Sequence, residues 1–453
     1  MAASATISTS VENSDPLLQV PFSDPPWLLG LPSPFFSEKH RKFQKAVRAW
    51  FEEHFLPHCM EWETSGNLPT DLFAKFNQYN MLLPNLPSPL PVEWLHKVGI
   101  KDILGTPVED WDYTHTGIWI DEIHRSGLGG PSSGLTAGFA YAIPPIIKYG
   151  SRQLQERFLP DFLTGKSRTC IAITEPDAGS DVANITTTAK KTKDGKHYIV
   201  NGTKKWITNA IWSDYATMAV RTGGKGAGGL SLLVVPLKTE GVDMRRLTVT
   251  GSKTGGTTFI ELEDVKVPVE NLLGEEGKGM FYVMNNFNHE RLLIAIGVTR
   301  QARVALSTAM AYVMKREAFG KALVEQPVVR NRLARAGAEL ETLQSWLNEF
   351  LWQMDHLPKS QADTRLGGLT ALAKAKAGMV LNECAQCGVL LFGGNGFTET
   401  GQGELVAKIY RDVFGSRIPG GSEDVMLDLA VRQLVKNYQK ALKQLDQGGK
   451  SRL

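Results

Sequence analysis

The sequence predicts an α+β fold built in the order helices, strands, helices, and three features carry that reading. Apolar residues recur at helical spacing across roughly 36–166, hairpin signals and β-branched runs fill 167–276, and helical spacing returns over 277–436. With 453 residues, 42% of them apolar, the chain is long enough for two or three domains with a sizeable core.

The elements follow in order. Met1 to Asp15 is Ser/Thr-rich and lacks a cationic start before an apolar core, so it reads as a flexible tail and not a signal peptide. Pro25, Pro26, Pro32 and Pro34 extend that irregular entry, giving a tail over 1–35. Ser37 then precedes Phe43, Val47, Trp50, Phe51 and Phe55 at helical spacing, which opens an N-terminal helical domain over 36–166. Further helical segments include Asp121 to Arg125 and Ser151 to Leu163. A middle β-domain occupies 167–276, where Asp194-Gly195 and Asn201-Gly202 flank the run His197 to Val200. Tyr215 to Val220, Leu230 to Val235 and Phe259 to Val265 are its other strands. From Gly277 the spacing of Met280, Met284, Phe287, Arg291 and Ile294 starts a C-terminal bundle over 277–436, with 437–453 as a polar tail. No repeat of solenoid or propeller length is evident.

Composition excludes several classes. Lys and Arg total 50 against 47 acidic residues, and a net charge of +3 argues for no nucleic acid and no acidic surface. No apolar stretch is long enough to span a membrane. Four scattered cysteines make no disulfide framework, and Cys384-Ala-Gln-Cys387 lies in a helical run with no second pair, which reads as helix packing. The nine histidines show no HExxH spacing, so no metal centre is indicated. Gly224-Lys-Gly226-Ala-Gly-Gly229 satisfies GxGxxG but joins two strands and opens no helix, so it reads as a hairpin loop and not a dinucleotide fingerprint.

Where helices give way to strands, Thr174-Glu175-Pro176 and Gly179-Ser180-Asp181 crowd hydroxyls and small residues, a composition suited to donors facing a polar heterocycle. With Trp206-Ile207-Thr208-Asn209 they resemble the paired flavin-binding signatures of the acyl-CoA dehydrogenase family. The likeness continues through Val267 to Gly274, Lys315-Arg316-Glu-Ala-Phe319-Gly320, Phe392-Gly393-Gly394-Asn395-Gly396-Phe397 and Tyr410-Arg411-Asp412, and covers about 38–436. The resemblance implies that family's fold, with a helical N-terminal domain, a β-barrel-like middle domain and a C-terminal four-helix bundle.

It also implies roles. Ile173 and Thr174 would meet the pyrimidine edge of FAD, Trp206 and Thr208 would flank its ring, and Gly394 and Ser422 would contact the cofactor elsewhere. Arg316, whose planar donors suit phosphate, and Phe319 would reach the FAD of a neighbouring subunit in a dimer or tetramer. Ser180 and Arg291 would lie at the substrate. Many relatives place their catalytic carboxylate after Tyr-Arg-Asp, but the matching residue here is Gly420. A subset resembling long-chain and isovaleryl-CoA dehydrogenases carries it on the preceding helix, in the context Asn288-His289-Glu290-Arg291-Leu292. Glu290 therefore inherits the base, with Glu423 as the nearest alternative, and the Gly420 N–H would donate to the thioester carbonyl. Leu390 and Ala318 stand where relatives often carry polar residues, each removing one possible contact to FAD, worth about 1 kcal/mol.

The expected activity is FAD-dependent oxidation of an acyl-CoA to its trans-2-enoyl form, in fatty-acid β-oxidation or in tailoring an acyl chain of a secondary metabolite, the likeness being greatest to fungal members. The electron acceptor would be electron-transfer flavoprotein, or O2 if the chain is an oxidase; a flavin-holding scaffold without turnover is the reading from another class. Ser451-Arg452-Leu453 resembles the S-K-L address, which implies a peroxisomal import receptor and a peroxisomal location in place of a mitochondrial or cytoplasmic one.

Overall fold

A computed structural model of the protein describes residues 19–450. The N-terminal unit contains α1 (Glu38–His54), α2 (Cys59–Ser65), α3 (Leu72–Gln78), α4 (Val92–Lys97), a short hairpin of β1 (Asp102–Ile103) and β2 (Thr106–Pro107), and α5 (Tyr113–Ile123). It continues with α6 (Gly129–Ala137), a π-helical turn at Gly138–Ala142, α7 (Ile143–Tyr149) and α8 (Arg152–Leu163). The residues that suggested α1 bury the face they were expected to bury: Phe43, Val47, Phe51 and Phe55 are all inside the core. Asp112, at the head of α5, takes hydrogen bonds from His40 at 3.0 Å and His115 at 2.7 Å, which staples α1 to α5.

The middle unit is one sheet of β3 (Thr169–Ala172), β4 (Thr188–Lys191), β5 (His197–Ile207), β6 (Tyr215–Arg221), β7 (Leu230–Pro236), β8 (Val242–Arg246), β9 (Thr258–Pro268) and β10 (Leu272–Leu273). Its order is β10-β7-β6-β4-β5-β9-β8, with β3 pairing β6 in parallel. Its two halves meet only where Thr188 of β4 pairs Arg221 of β6, and a core including Val200, Met218, Val235 and Ile260 fills the space inside. The end strands β8 and β10 do not pair with each other, so the barrel-like sheet is open at that seam. The glycine-rich segment 224–229 connects β6 to β7, as the sequence suggested.

The C-terminal unit comprises α9 (Gly279–Met284), α10 (Phe287–Lys315), the hairpin β11 (Glu317–Ala318) and β12 (Lys321–Ala322), α11 (Pro327–His356), α12 (Lys359–Arg365), α13 (Gly367–Phe392), α14 (Glu404–Arg417) and α15 (Glu423–Lys450). The apolar helix α13 is the axis, packed against α10, α11, α14 and α15. Cys384 and Cys387 are buried free thiols in it.

Two boundaries differ from expectation. Residues 19–35 are packed and not a free tail: Trp27 stacks on Phe36 with centroids 4.0 Å apart, and buried Asp24 accepts from Arg48 at 2.9 Å and from Arg300 at 3.2 Å. The prolines broke the local pattern, while the contacts that fix the segment come from α1 and α10, remote in sequence. At the other end α15 runs to Lys450, so 437–450 is helical where a tail was expected. Val431, Leu434, Tyr438, Leu442 and Leu445 keep helical spacing through it. The remaining tail readings, Met1 to Asp15 and the terminal Ser451-Arg452-Leu453, lie outside the described residues.

Candidate active site

The base and its helix come first. Glu290 lies in the first turn of α10, half-buried, and burial pushes its pKa up from 4.5 to about 7. Asn286, one turn earlier on the same face, is buried and donates from Nδ2 to Glu290 Oε1 at 2.7 Å and to the carbonyl of Ala140 at 3.1 Å. Ala140 belongs to the π turn Gly138–Ala142, a local widening of the helix of a kind that recurs at functional sites. Tyr141 in that turn is a neighbour of Glu290: burial and then the carboxylate charge push its phenol well above the usual range. The sequence reading missed both Asn286 and Tyr141. Asn286 could have been found as the polar residue four before Glu290; no signal marks Tyr141.

The same turn brings the β-domain to the base. Thr217 Oγ1 on β6 donates to Ala142 O at 2.8 Å, and Gly138 lies so close to Thr169 O on β3 that a Cβ there would stand 2.3 Å from it. Strand β3 leads directly into Ile173 and Thr174, both half-buried. Thr174 O accepts from the Lys205 N–H at 3.0 Å, and Ile173 O from the buried Lys204 Nζ at 3.0 Å. Lys204 is ion-paired at 2.8 Å to Glu175, which also takes the N–H groups of Thr186 and Thr187. Two residues on, the register of β5 against β9 slips between Lys204 and Ile207, and Trp206 takes a left-handed φ of +60°. That bulge turns the indole outward, half exposed, with Thr208 beside it. Ile173, Thr174, Trp206 and Thr208 thus form one wall, held by a buried ion pair that sequence reasoning did not identify. Ser180 is exposed on the β3–β4 connection.

Across from α10 runs the segment 417–423. Gly420 has φ +68°, and a Cβ on it would stand 2.6 Å from Ile294 Cδ1, one turn along α10 from Glu290. A side chain at 420 would therefore need Ile294 to shift and would sit on a backbone conformation that favours glycine. Glu423 is already engaged: both its oxygens accept from Arg417, at 2.7 and 2.6 Å. Ser422, half-buried, sits at the head of α15. Arg291 is buried, its guanidinium 4.9 Å from the Phe287 ring centroid, its Nε without a partner among the described residues; burial lowers its pKa to about 10.

Arg316, Phe319 and Gly394 are not part of this cluster. Arg316 follows α10 at its far end, 26 positions after Glu290, or about 39 Å at 1.5 Å per residue. The β11–β12 turn places Phe319 and Gly320 both at positive φ, +56° and +76°, and leaves the Phe319 ring 94% exposed. Gly394 is exposed, its neighbour Asn395 donating to Tyr312 Oη at 3.3 Å near the same end of α10. Leu390, 52% exposed, is close by in sequence at the end of α13.

The arrangement of domains matches known proteins. Models of the acyl-CoA dehydrogenase N-terminal, middle and C-terminal domains match residues 37–166, 170–265 and 277–435. The chain belongs to the acyl-CoA dehydrogenase family. It is 68% identical to acyl-CoA dehydrogenase apdG of Emericella nidulans, over 96% of this chain and 99% of that one. Acyl-CoA dehydrogenase AFT10-1 of Alternaria alternata is 34% identical over 93% and 97%. Among solved structures, the acyl-CoA dehydrogenase of Geobacillus kaustophilus superposes with a TM-score of 0.78 at 32% identity, over 89% of this chain and 100% of that one. The protein is thus an oxidoreductase acting on acyl-CoA, in a family whose cofactor is FAD. The residues present fit that group: the outward Trp206 indole and the Ile173–Thr174 backbone offer a flat face and an edge for a ring. No described helix is long and apolar enough to cross a membrane.

Proposed function

We propose that the protein converts an acyl-CoA to the trans-2-enoyl-CoA with Glu290 as base. The observation that carries this reading is the pairing of a half-buried Glu290, its pKa pushed up to about 7 by desolvation, with a left-handed glycine at the position where the commoner family pattern carries its carboxylate. When bound, FAD would supply the electron sink for the β-hydrogen. Glu290 takes the α-proton onto its carboxylate, and Asn286 orients that carboxylate. The Gly420 N–H donates to the thioester oxygen as negative charge develops there, and buried Arg291, whose Nε has no hydrogen-bond partner among the described residues, adds positive charge nearby. Ile173, Thr174, Trp206, Thr208 and Ser422 would hold the cofactor, and Ser180 would border the thioester.

Arg316, Phe319 and Gly394 serve the FAD of a second copy of the chain, since about 39 Å of α10 separates them from their own Glu290. The 68% identity to a fungal dehydrogenase against 31% to the mouse long-chain enzyme supports a substrate of fungal character, either a fatty acyl-CoA or a tailored acyl chain. A peroxisomal address at Ser451-Arg452-Leu453 belongs to the same proposal. Its check is to follow the full chain and a Leu453→Asp variant by microscopy, the variant being expected to disperse.

The decisive experiment follows the visible spectrum of the yellow protein without oxygen as short, medium, branched and polyunsaturated acyl-CoAs are added. Bleaching by one class supports the reading and defines the substrate. Readmitting air then separates an O2-using enzyme from one that needs electron-transfer flavoprotein. Bleaching by none overturns it.

A further inference from the structure

The geometry points to Lys374 as the positioning residue that sets the Gly420 N–H for catalysis, an inference that rests on the reading of the site given above. Lys374 lies on α13 and is 1% exposed. Its Nζ donates to Gly421 O at 2.7 Å and to Arg417 O at 3.1 Å, so the two carbonyls it holds bracket Gly420 along the chain. Neither hydrogen-bond partner is a carboxylate, the Glu423 charge acting on the ammonium only through space, and a buried ammonium is an expensive way to cap a helix that water could cap.

The segment needs such an anchor. Gly420 and Gly421 stand consecutively at φ +68° and +97°, a pair with wide conformational freedom. Their surroundings remove that freedom. The Arg417–Glu423 ion pair closes the segment across its ends. Gly378, one turn from Lys374 on the same face of α13, lets the helix approach Arg417 so closely that a Cβ there would stand 2.7 Å from Arg417 Cγ. The lysine stem passes under the turn, its Cε 3.9 Å from where a Cβ on Gly420 would be. A backbone donor that must meet a developing oxyanion gains most when its place is fixed beforehand, and a misplacement of about 1 Å can cost 10²-fold.

The test uses the full FAD-loaded protein as wild type, Lys374→Met (similar length, no donor) and Lys374→Gln (one donor kept). The first readout is the single-turnover rate of flavin bleaching at saturating acyl-CoA. The second is the acidity of the α-proton of a bound, non-oxidisable 3-thiaacyl-CoA, followed as the long-wavelength absorbance of its enolate against the flavin. Lys374→Met is expected to bleach about 10–100-fold more slowly and to raise the apparent pKa of the bound analogue by about 1–2, with flavin content and acyl-CoA affinity within threefold of wild type. Lys374→Gln should fall between, and if the Met variant does not fold, the Gln variant decides alone. A drop in thermal midpoint with both readouts unchanged overturns the inference and leaves Lys374 a structural cap. Wild-type protein that neither bleaches nor forms the enolate band overturns the site reading, and the inference with it.

Discussion

Replacing Glu290 by Gln should separate activity from stability in opposite directions. The substitution keeps shape and the hydrogen bond from Asn286 Nδ2 but removes the base. General-base catalysis contributes about 10²–10⁴-fold, or about 3–5 kcal/mol of barrier, and the rate of flavin bleaching should fall by that factor while flavin stays bound. In the unmodified protein a pKa of about 7 leaves the carboxylate about 9% ionised at pH 6 and about 91% at pH 8, so the bleaching rate should rise about tenfold between them. Stability runs the other way. The folded pKa lies above the ordinary 4.5, so folding favours the protonated form; the benefit is complete below pH 4.5 and is lost as pH rises through 7. Above pH 8 the ionised carboxylate then weighs against the fold by up to about 3 kcal/mol, at about 1.4 kcal/mol per pKa unit. Glu290→Gln should accordingly melt at a higher temperature than wild type at pH 8 and show little difference at pH 4.5, measured calorimetrically. A variant that keeps more than a tenth of the bleaching rate, or melts lower at pH 8, refutes the reasoning.

Four further outcomes follow from the same geometry. Asn286→Ala removes the donor that favours ionised Glu290, so the pH profile of bleaching should move upward and the rate at pH 7 should drop several-fold; a profile left in place would show that Asn286 does not tune the base. Moving the acid to the commoner family position, Gly420→Glu in the Glu290→Gln background, should restore less turnover than the same change with Ile294→Ala, which removes the atom 2.6 Å from the new Cβ; equal recovery would show that Ile294 yields freely. Glu175→Gln strands the buried Lys204 ammonium and should cost about 3–5 kcal/mol in denaturant unfolding, with earlier release of FAD. Burial works against the Glu175 charge, but Lys204 and the hydrogen bonds prevail and hold its pKa near 2. The wild-type advantage is therefore full above pH 4.5 and fades toward pH 2. Arg316→Ala should leave the melting of a single chain unchanged, its side chain being exposed, yet weaken FAD retention about 10–100-fold in the oligomer, as read by equilibrium dialysis.

The order of domains was legible because hydrophobic period is a local property that switches at about 167 and again at 277. The assignment of Glu290 has a different source: the resemblance defines two places for a base, and a glycine occupies one. Other parts of the site have no local signature. The π turn carrying Tyr141 has the same apolar composition as the helices on either side of it. Lys374 sits among alanines and reads as a surface lysine of α13, because its carbonyl partners lie more than 40 positions away. Lys204 falls on the buried face of β5 with Tyr198 and Val200, yet its charge gives no hint of its partner, because Glu175 lies 29 positions away. The packing of residues 19–35 depends on Arg48 and on Arg300, 276 positions from Asp24, a distance at which no sequence window operates.

The length of α10 has a genetic consequence. If each chain lends its Arg316 and Phe319 to a partner while keeping its own Glu290, one allele lacking the base and another lacking the clamp are not equivalent losses. Mixed in one cell, a Glu290→Gln chain and an Arg316→Ala chain would rebuild one sound centre per pair, and two inactive alleles would complement each other.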